Sequence, residues 1–313
     1  MALNMVAGDV TIGIQGEDFS YLFSTTIGGM ESLYKHGKEW LYRAPRPTFW
    51  RATTDNDRGN GFSYQSAAWL AADLFLRCRH TEASLDGEPI EIPLAPANNR
   101  YGAAIPGKEF VMTFVYESAA VPGMETRVTY CVTENGKIGV RVRYCGSEGL
   151  PGLPVFGMRF IMPTAADGYC YEGLSGETYP DRMAGGIPGE YEVKGLPVTP
   201  YLVPQDCGVH MNTRKLGVHR TMVLDNTKGS REKSTLHFTA EEGQSFAFSC
   251  LPYTAEELEN ATHQEELPPV HRTVVSILGA VRGVGGINSW GADVEEDYHI
   301  PADKEIAYGF TIE

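Results

Sequence analysis

The chain has 313 residues, a formal net charge of −14, 42% hydrophobic and 21% charged residues, a globular composition long enough to bury a core without covalent staples. The acidic balance disfavours nucleic acid and anionic lipid as partners, because like charges repel, and suits a neutral ligand, a protein partner or simple solubility. The six cysteines (Cys78, Cys131, Cys145, Cys170, Cys207 and Cys250) are scattered, with no C-x-x-C pair and no histidine at zinc spacing. They predict reduced thiols, no metal site and a cytoplasmic protein. Met1 to Asp9 lacks a signal peptide's basic and apolar regions, and no apolar run has the length of a membrane span.

In chain order the elements are mostly strands. Val10 to Ile14 is β-rich. The segment Pro45 to Phe62, Pro-Arg-Pro-Thr-Phe-Trp-Arg-Ala-Thr-Thr-Asp-Asn-Asp-Arg-Gly-Asn-Gly-Phe, follows. It mixes aromatics, arginines and Asx residues between Pro and Gly, the composition of a sugar-facing loop. Asp55, Asn56 and Asp57 beside Arg51 and Arg58 offer groups to orient sugar hydroxyls. A turn pinned by arginine pairs carries about equal weight, since Asx residues commonly make turns. Gly59 and Gly61 flank Asn60 and allow a hinge. Ser66 to Phe75 predicts a short helix. Phe110 to Tyr116 is a strand. Glu125 to Val132 and Lys137 to Tyr144 alternate apolar and polar residues around Asn135-Gly136, a hairpin signal.

Glu177, Tyr179, Asp181 and Arg182 form a polar and aromatic cluster on a Gly-rich loop. Thr199 to His210, with Tyr201, Gln205 and His210, has similar character. Either block lines a cleft or pins loops together. Leu236 to Thr239, Ser245 to Cys250 and Arg272 to Leu278 are further strands, and Thr254 to Glu257 reads as a capping box opening a helix. His263 sits in a helix-like acidic segment, as an acid or base or, more commonly, a structural histidine. Gly283 to Gly291 contains Gly285-Gly286-Ile287-Asn288-Ser289-Trp290. It lacks the Lys-Ser/Thr of a phosphate loop and reads as a loop presenting the Trp290 indole. No repeat, nucleophile elbow or alternating strand–helix pattern is present. The loop-like stretch Ala95 to Lys108 sets no domain boundary. The whole chain, 1–313, reads as one all-β unit, a large antiparallel sandwich.

Taken together, several blocks resemble one family. They are Trp40-Leu41-Tyr42-Arg43, Phe49-Trp50-Arg51-Ala52 with Asp55-Asn56-Asp57, Glu177 to Arg182, Pro200-Tyr201 with Pro204-Gln205, and Gly285-Gly286 with Ser289-Trp290. In that order, from about Phe19 to the end, they resemble the small subunit of heterodimeric β-galactosidase of glycoside hydrolase family 2, or the C-terminal domain of the long single-chain enzyme. The resemblance implies a galactose mutarotase-like supersandwich. It implies that no catalytic residue lies on this chain, the two catalytic glutamates and the magnesium and sodium sites belonging to a larger barrel subunit. It implies Trp290, with Ser289 and Asn288, as the sugar platform for terminal β-galactosides such as lactose, and Gly59 to Ser63 as a closing loop. The sequence departs from the single-chain enzymes at Ile287 and Asn288, where two acidic residues are usual, and at Ser175-Gly176, where Gly-Pro is. Two rival readings remain. An aldose 1-epimerase needs a His and a Glu in one cleft, with Glu177 and His210 or His263 the nearest residues; a carbohydrate-binding module needs no partner at all.

Overall fold

The computed structural model describes residues 2–92, 102–224, 230–288 and 290–313. Part of the stretch Ala95 to Lys108, and Ser289, lie outside them. Among the described residues the strands form a six-stranded, a ten-stranded and a five-stranded sheet, with every paired register antiparallel. The all-β expectation therefore holds.

Burial patterns separate the layers. In the five-stranded sheet, Phe246–Leu251 is buried at every position and Thr273–Val281 at all but two. Such strands are covered on both faces. In the ten-stranded sheet, Thr126–Thr133 alternates buried and half-buried residues, so one of its faces meets water. The core lies between these two sheets. Phe160 of the inner sheet meets Phe238 of the large one edge-on at 5.2 Å. The N-terminal sheet closes the other end, with Phe23 against Phe110 at 5.4 Å. Each such buried ring contributes about 1.5–3 kcal/mol of transfer free energy.

The large sheet is stitched together by its last strand. Ile306–Ile312 pairs with Ile138–Tyr144 on one side and with Ser234–Ala240 on the other. The predicted hairpin forms with Val132 opposite Ile138 and Thr126 opposite Tyr144. Gly136 takes φ +75° in its turn, and its carbonyl accepts from the Tyr21 hydroxyl at 2.6 Å and Lys35 Nζ at 3.1 Å.

Four short α-helices appear among the described residues: α1 (Asp55–Asn60), α2 (Phe62–Gln65), α3 (Ala68–Leu74) and α4 (Ala255–Asn260). The helix expected over Ser66 to Phe75 is α3, held by Trp69, which stacks on Phe49 at 5.6 Å. The expected capping box opens α4, with Thr254 and Glu257 exchanging hydrogen bonds. His263 precedes a 3₁₀ turn and is itself extended, so the helix-like reading of its segment is corrected.

Candidate functional site

The segment Pro45 to Phe62 is not a free loop. Phe49 and Trp50 are 0% and 2% exposed, so they are core residues rather than sugar platforms. From Asp55 the chain coils into α1. Thr54 caps it, its hydroxyl accepting from Asp57 N while Asp57 Oδ2 accepts from Thr54 N at 2.9 Å. That closes a capping box and satisfies two helix-end donors. Asp57 also pairs with Arg51 at 2.9 Å, with both side chains buried, and Arg51 reaches on to the Gly283 carbonyl at 3.2 Å.

The three Asx residues thus have three different jobs. Asp57 carries a buried ion pair. Asn56 donates through Nδ2 to Val284 O at 2.9 Å. Asp55 is exposed, exchanging hydrogen bonds with Gln205 at 2.8 and 3.2 Å and pairing with Arg58 at 3.4 Å. Arg58 also donates to Thr53 Oγ1 and to the Pro204 carbonyl. Gly59 lies inside α1, and Gly61, at φ +81°, makes the left-handed link into α2. The residues expected to hinge are here wound into helical turns.

The Gly-rich block from Gly283 rests on this platform. Asp181 accepts from Val284 N at 3.0 Å and Gly285 N at 2.8 Å, and Arg182 donates to the Gly285 carbonyl. A Cβ on Gly283 would stand 2.9 Å from the Asp181 carboxyl carbon, so glycine permits the approach. Farther along, a Cβ on Gly291 (φ +78°) would stand 2.7 Å from the Gly59 carbonyl oxygen. Asn60 donates to Asp293 Oδ1 at 2.9 Å. Asn288 Oδ1 accepts from Trp290 N at 2.9 Å and Ala292 N at 3.2 Å, which curls the loop tip and commits that oxygen to the loop itself. Trp290 stands at the tip, 91% exposed.

Three residues not singled out in the sequence complete the mount. Arg282 lies over the Phe62 ring at 3.8 Å and pairs with Asp293 at 2.6 Å. Opposite charges at positions 282 and 293, bracketing a glycine-rich run, are the signal that could have revealed them. The third is Asp206, which accepts from the Tyr179 hydroxyl at 2.8 Å. Burial pushes its carboxyl up to about 6, against the opposing pull of Arg51 and that hydrogen bond.

Glu177 caps the neighbouring loops, accepting from Thr199 Oγ1 at 2.8 Å and Gly208 N at 2.7 Å. The Tyr201 carbonyl accepts from Gln264. The two histidines do not join the cluster. His210 is 5% exposed, stacked on Phe248 at 4.7 Å and against Tyr171 at 4.5 Å. Its Nε2 meets the Tyr169 hydroxyl at 3.2 Å, and burial lowers it to about 4. His263 is exposed and pairs with Glu266 at 3.1 Å. His210 is thus enclosed by aromatic rings and His263 is committed to Glu266, so neither is presented free for acid–base chemistry on a sugar.

The sequence matches the model of the Beta galactosidase small chain family over residues 15–312. This chain belongs to that family. It is 58% identical over 310 residues to the "Beta-galactosidase small subunit" of Latilactobacillus sakei, covering 99% of this chain and 97% of that one. It is 37% identical to the "Beta-galactosidase" of Halalkalibacterium halodurans, covering 99% of this chain but 28% of that protein. The chain therefore spans nearly all of one relative and about a quarter of the other. A solved galactose mutarotase-like protein from Lactobacillus casei overlays with a TM-score of 0.43 at 10% identity, covering 97% of this chain and 99% of that one.

Proposed function

We propose that this chain is the small subunit of a heterodimeric β-galactosidase, completing the sugar pocket of a larger barrel chain in retaining hydrolysis of terminal β-galactosides such as lactose. The observation that carries the reading is the presentation of Trp290. A bulky indole stands almost fully in solvent, at 91% exposure, on a loop fastened by Asp181, Asn56, Asn60 and Arg282. A side chain with nothing to pack on, on a loop held by a network of polar contacts, is arranged for a ligand or partner rather than for stability. The indole face stacks on the apolar C–H face of a pyranose, while the ring-edge hydroxyls stay free for hydrogen bonds.

In this reading the acid/base and the nucleophile are two carboxylates of the partner, about 5 Å apart as retention requires. Any magnesium or sodium the reaction uses sits on that partner as well. This chain contributes shape, stacking and water exclusion. The partner-facing surface includes Tyr64 on α2, Leu202 and Ile287, which are 87%, 85% and 59% exposed on elements that meet at the Trp290 mount. Six free thiols suit a reducing cytoplasm. Among the described residues no helix is long and apolar enough to cross a membrane.

The test is hydrolysis of a chromogenic β-galactoside by this chain, by the barrel chain and by their mixture. Activity in the mixture alone is expected. Full activity of the barrel chain, unaltered on mixing, would overturn the proposal in favour of an independent carbohydrate-binding protein.

A further inference from the structure

A second cluster lies on the outer, solvent-facing side of the ten-stranded sheet. Four adjacent strands, Pro188–Lys194, Gly168–Leu174, Lys215–Arg220 and Ser234–Ala240, run side by side there. Their register places Glu192 opposite Cys170, Cys170 opposite Gly217, and Gly217 opposite His237. His219 follows Gly217 by two residues and so projects from the same face. The register gathers side chains that are far apart in sequence.

The atoms that meet are metal ligands. The thiol of Cys170, a carboxylate oxygen of Glu192 and a ring nitrogen of His219 lie within 4.8 Å of one another. His219 is 8% exposed. Its Nδ1 contacts Thr235 Oγ1 at 2.8 Å; its Nε2 is buried without a hydrogen-bond partner and faces Glu192 Oε1 at 3.5 Å. Two ligands at ordinary zinc distances of about 2.0–2.2 Å and tetrahedral angles stand about 3.4 Å apart, so this pair is already at chelating separation. The Thr235 contact fixes ring orientation, as outer partners of metal-bound histidines do.

Gly217 leaves room for a fourth donor. A Cβ there would sit 3.0 Å from Cys170 Sγ and 2.9 Å from His237 Nδ1, so both side chains lean over the space that a side chain would fill. His237 Nδ1, too, is buried without a hydrogen-bond partner. A groove of about 420 Å³, lined in part by Cys170, Glu192 and His237, opens the place to solvent.

We propose that Cys170, Glu192 and His219 bind a divalent transition-metal ion such as zinc through an S, O, N set, with the fourth position taken by water or, after a side-chain movement, by His237. One thiolate and one carboxylate neutralise the dication, and the thiol proton passes to solvent on binding. The ion would pin Pro188–Lys194, which among the described residues is an edge strand paired only with Gly168–Leu174, to the interior of the sheet. The scattered cysteines predicted no metal site because 170, 192, 219 and 237 show no ligand spacing along the chain; the sheet register alone assembles them.

The test is titration of the full chain with cobalt(II), read by thiolate-to-cobalt charge-transfer absorption, and with zinc against a chromophoric chelator. One equivalent is expected, with the absorption lost in Cys170→Ser and retained in Cys131→Ser. Glu192→Gln and His219→Gln should each weaken zinc by roughly tenfold or more, the loss typical of disturbing a metal's ligand environment. Glu192 is a surface side chain, so that variant folds and keeps the test decisive even if His219→Gln does not. No absorption in the wild type, absorption persisting in Cys170→Ser, or zinc affinity unchanged in Glu192→Gln would each overturn the proposal.

Discussion

Asp55, Asn56 and Asp57 look alike in the sequence and differ sharply in the structure, so a graded series of substitutions tests how the Trp290 mount is held. Asp57→Asn keeps the shape and removes one charge. It leaves Arg51, whose side chain is 4% exposed, as a buried cation with its nearest counter-charge gone. Breaking a buried pair from one side costs about 3–5 kcal/mol, because the remaining charge stays desolvated. Asn56→Ala removes one hydrogen bond, to Val284 O at 2.9 Å, and should cost about 1 kcal/mol. Asp55→Asn touches a carboxylate that is 69% exposed and should leave stability unchanged within error. Denaturant unfolding of each purified variant measures the three values. In the assembled enzyme, kcat/KM should fall for Asp57→Asn and hold for Asp55→Asn, since only the first loosens the link through Arg51 to Gly283. Equal costs at positions 55 and 57, or a cost below about 1 kcal/mol for Asp57→Asn, would refute the ion-pair argument.

Trp290→Ala in the assembled enzyme should cost about 1–3 kcal/mol of substrate or transition-state binding, roughly fivefold to over a hundredfold in kcat/KM. The melting temperature of the chain should not change, because the indole is 91% exposed; unchanged kinetics would retire the platform role. His210, held at about 4 by burial, resists a proton that the unfolded chain accepts near 6.5. Its contribution is therefore intact above pH 6.5 and falls as pH drops towards 4, by roughly 3 kcal/mol at most. His210→Gln should flatten stability against pH across that window. Asp73 and Asp206, both pushed up to about 6 by burial, act in the opposite sense and are common to both proteins, so the difference isolates His210. Gly136→Ala should destabilise by roughly 2–4 kcal/mol in chemical denaturation, since a Cβ at φ +75° would press within 2.4 Å of the Phe19 ring. A near-neutral result would show that the turn has another conformation available.

Several features were fixed by local chemistry and were legible in the chain alone. The Asn135-Gly136 hairpin, the Thr254 capping box and the strand-rich, antiparallel character follow from turn geometry, cap hydrogen bonding and the two-residue period of a half-buried strand. The family blocks also pointed to Trp290 as a displayed residue. Composition was a poorer guide to burial. Phe49 and Trp50 share a segment with exposed Asp55, yet they are core, because neighbours in sequence need not share a face. His210 and His263 were equivalent on paper; one is enclosed by aromatic rings and the other pairs with Glu266 in solvent.

What the sequence could not supply is convergence. Asp57, Asp181 and Gly283 are separated by more than a hundred positions at each step, and they meet because antiparallel registers and loop lengths return the chain to one end of the sandwich. The same holds across Glu192, Cys170, Gly217 and His237, which form a row only once four strands are aligned. Propensities and turns act over a few residues and are written locally. Side chains assembled by strand register depend on long-range pairing, which is decided by the packing of the whole core.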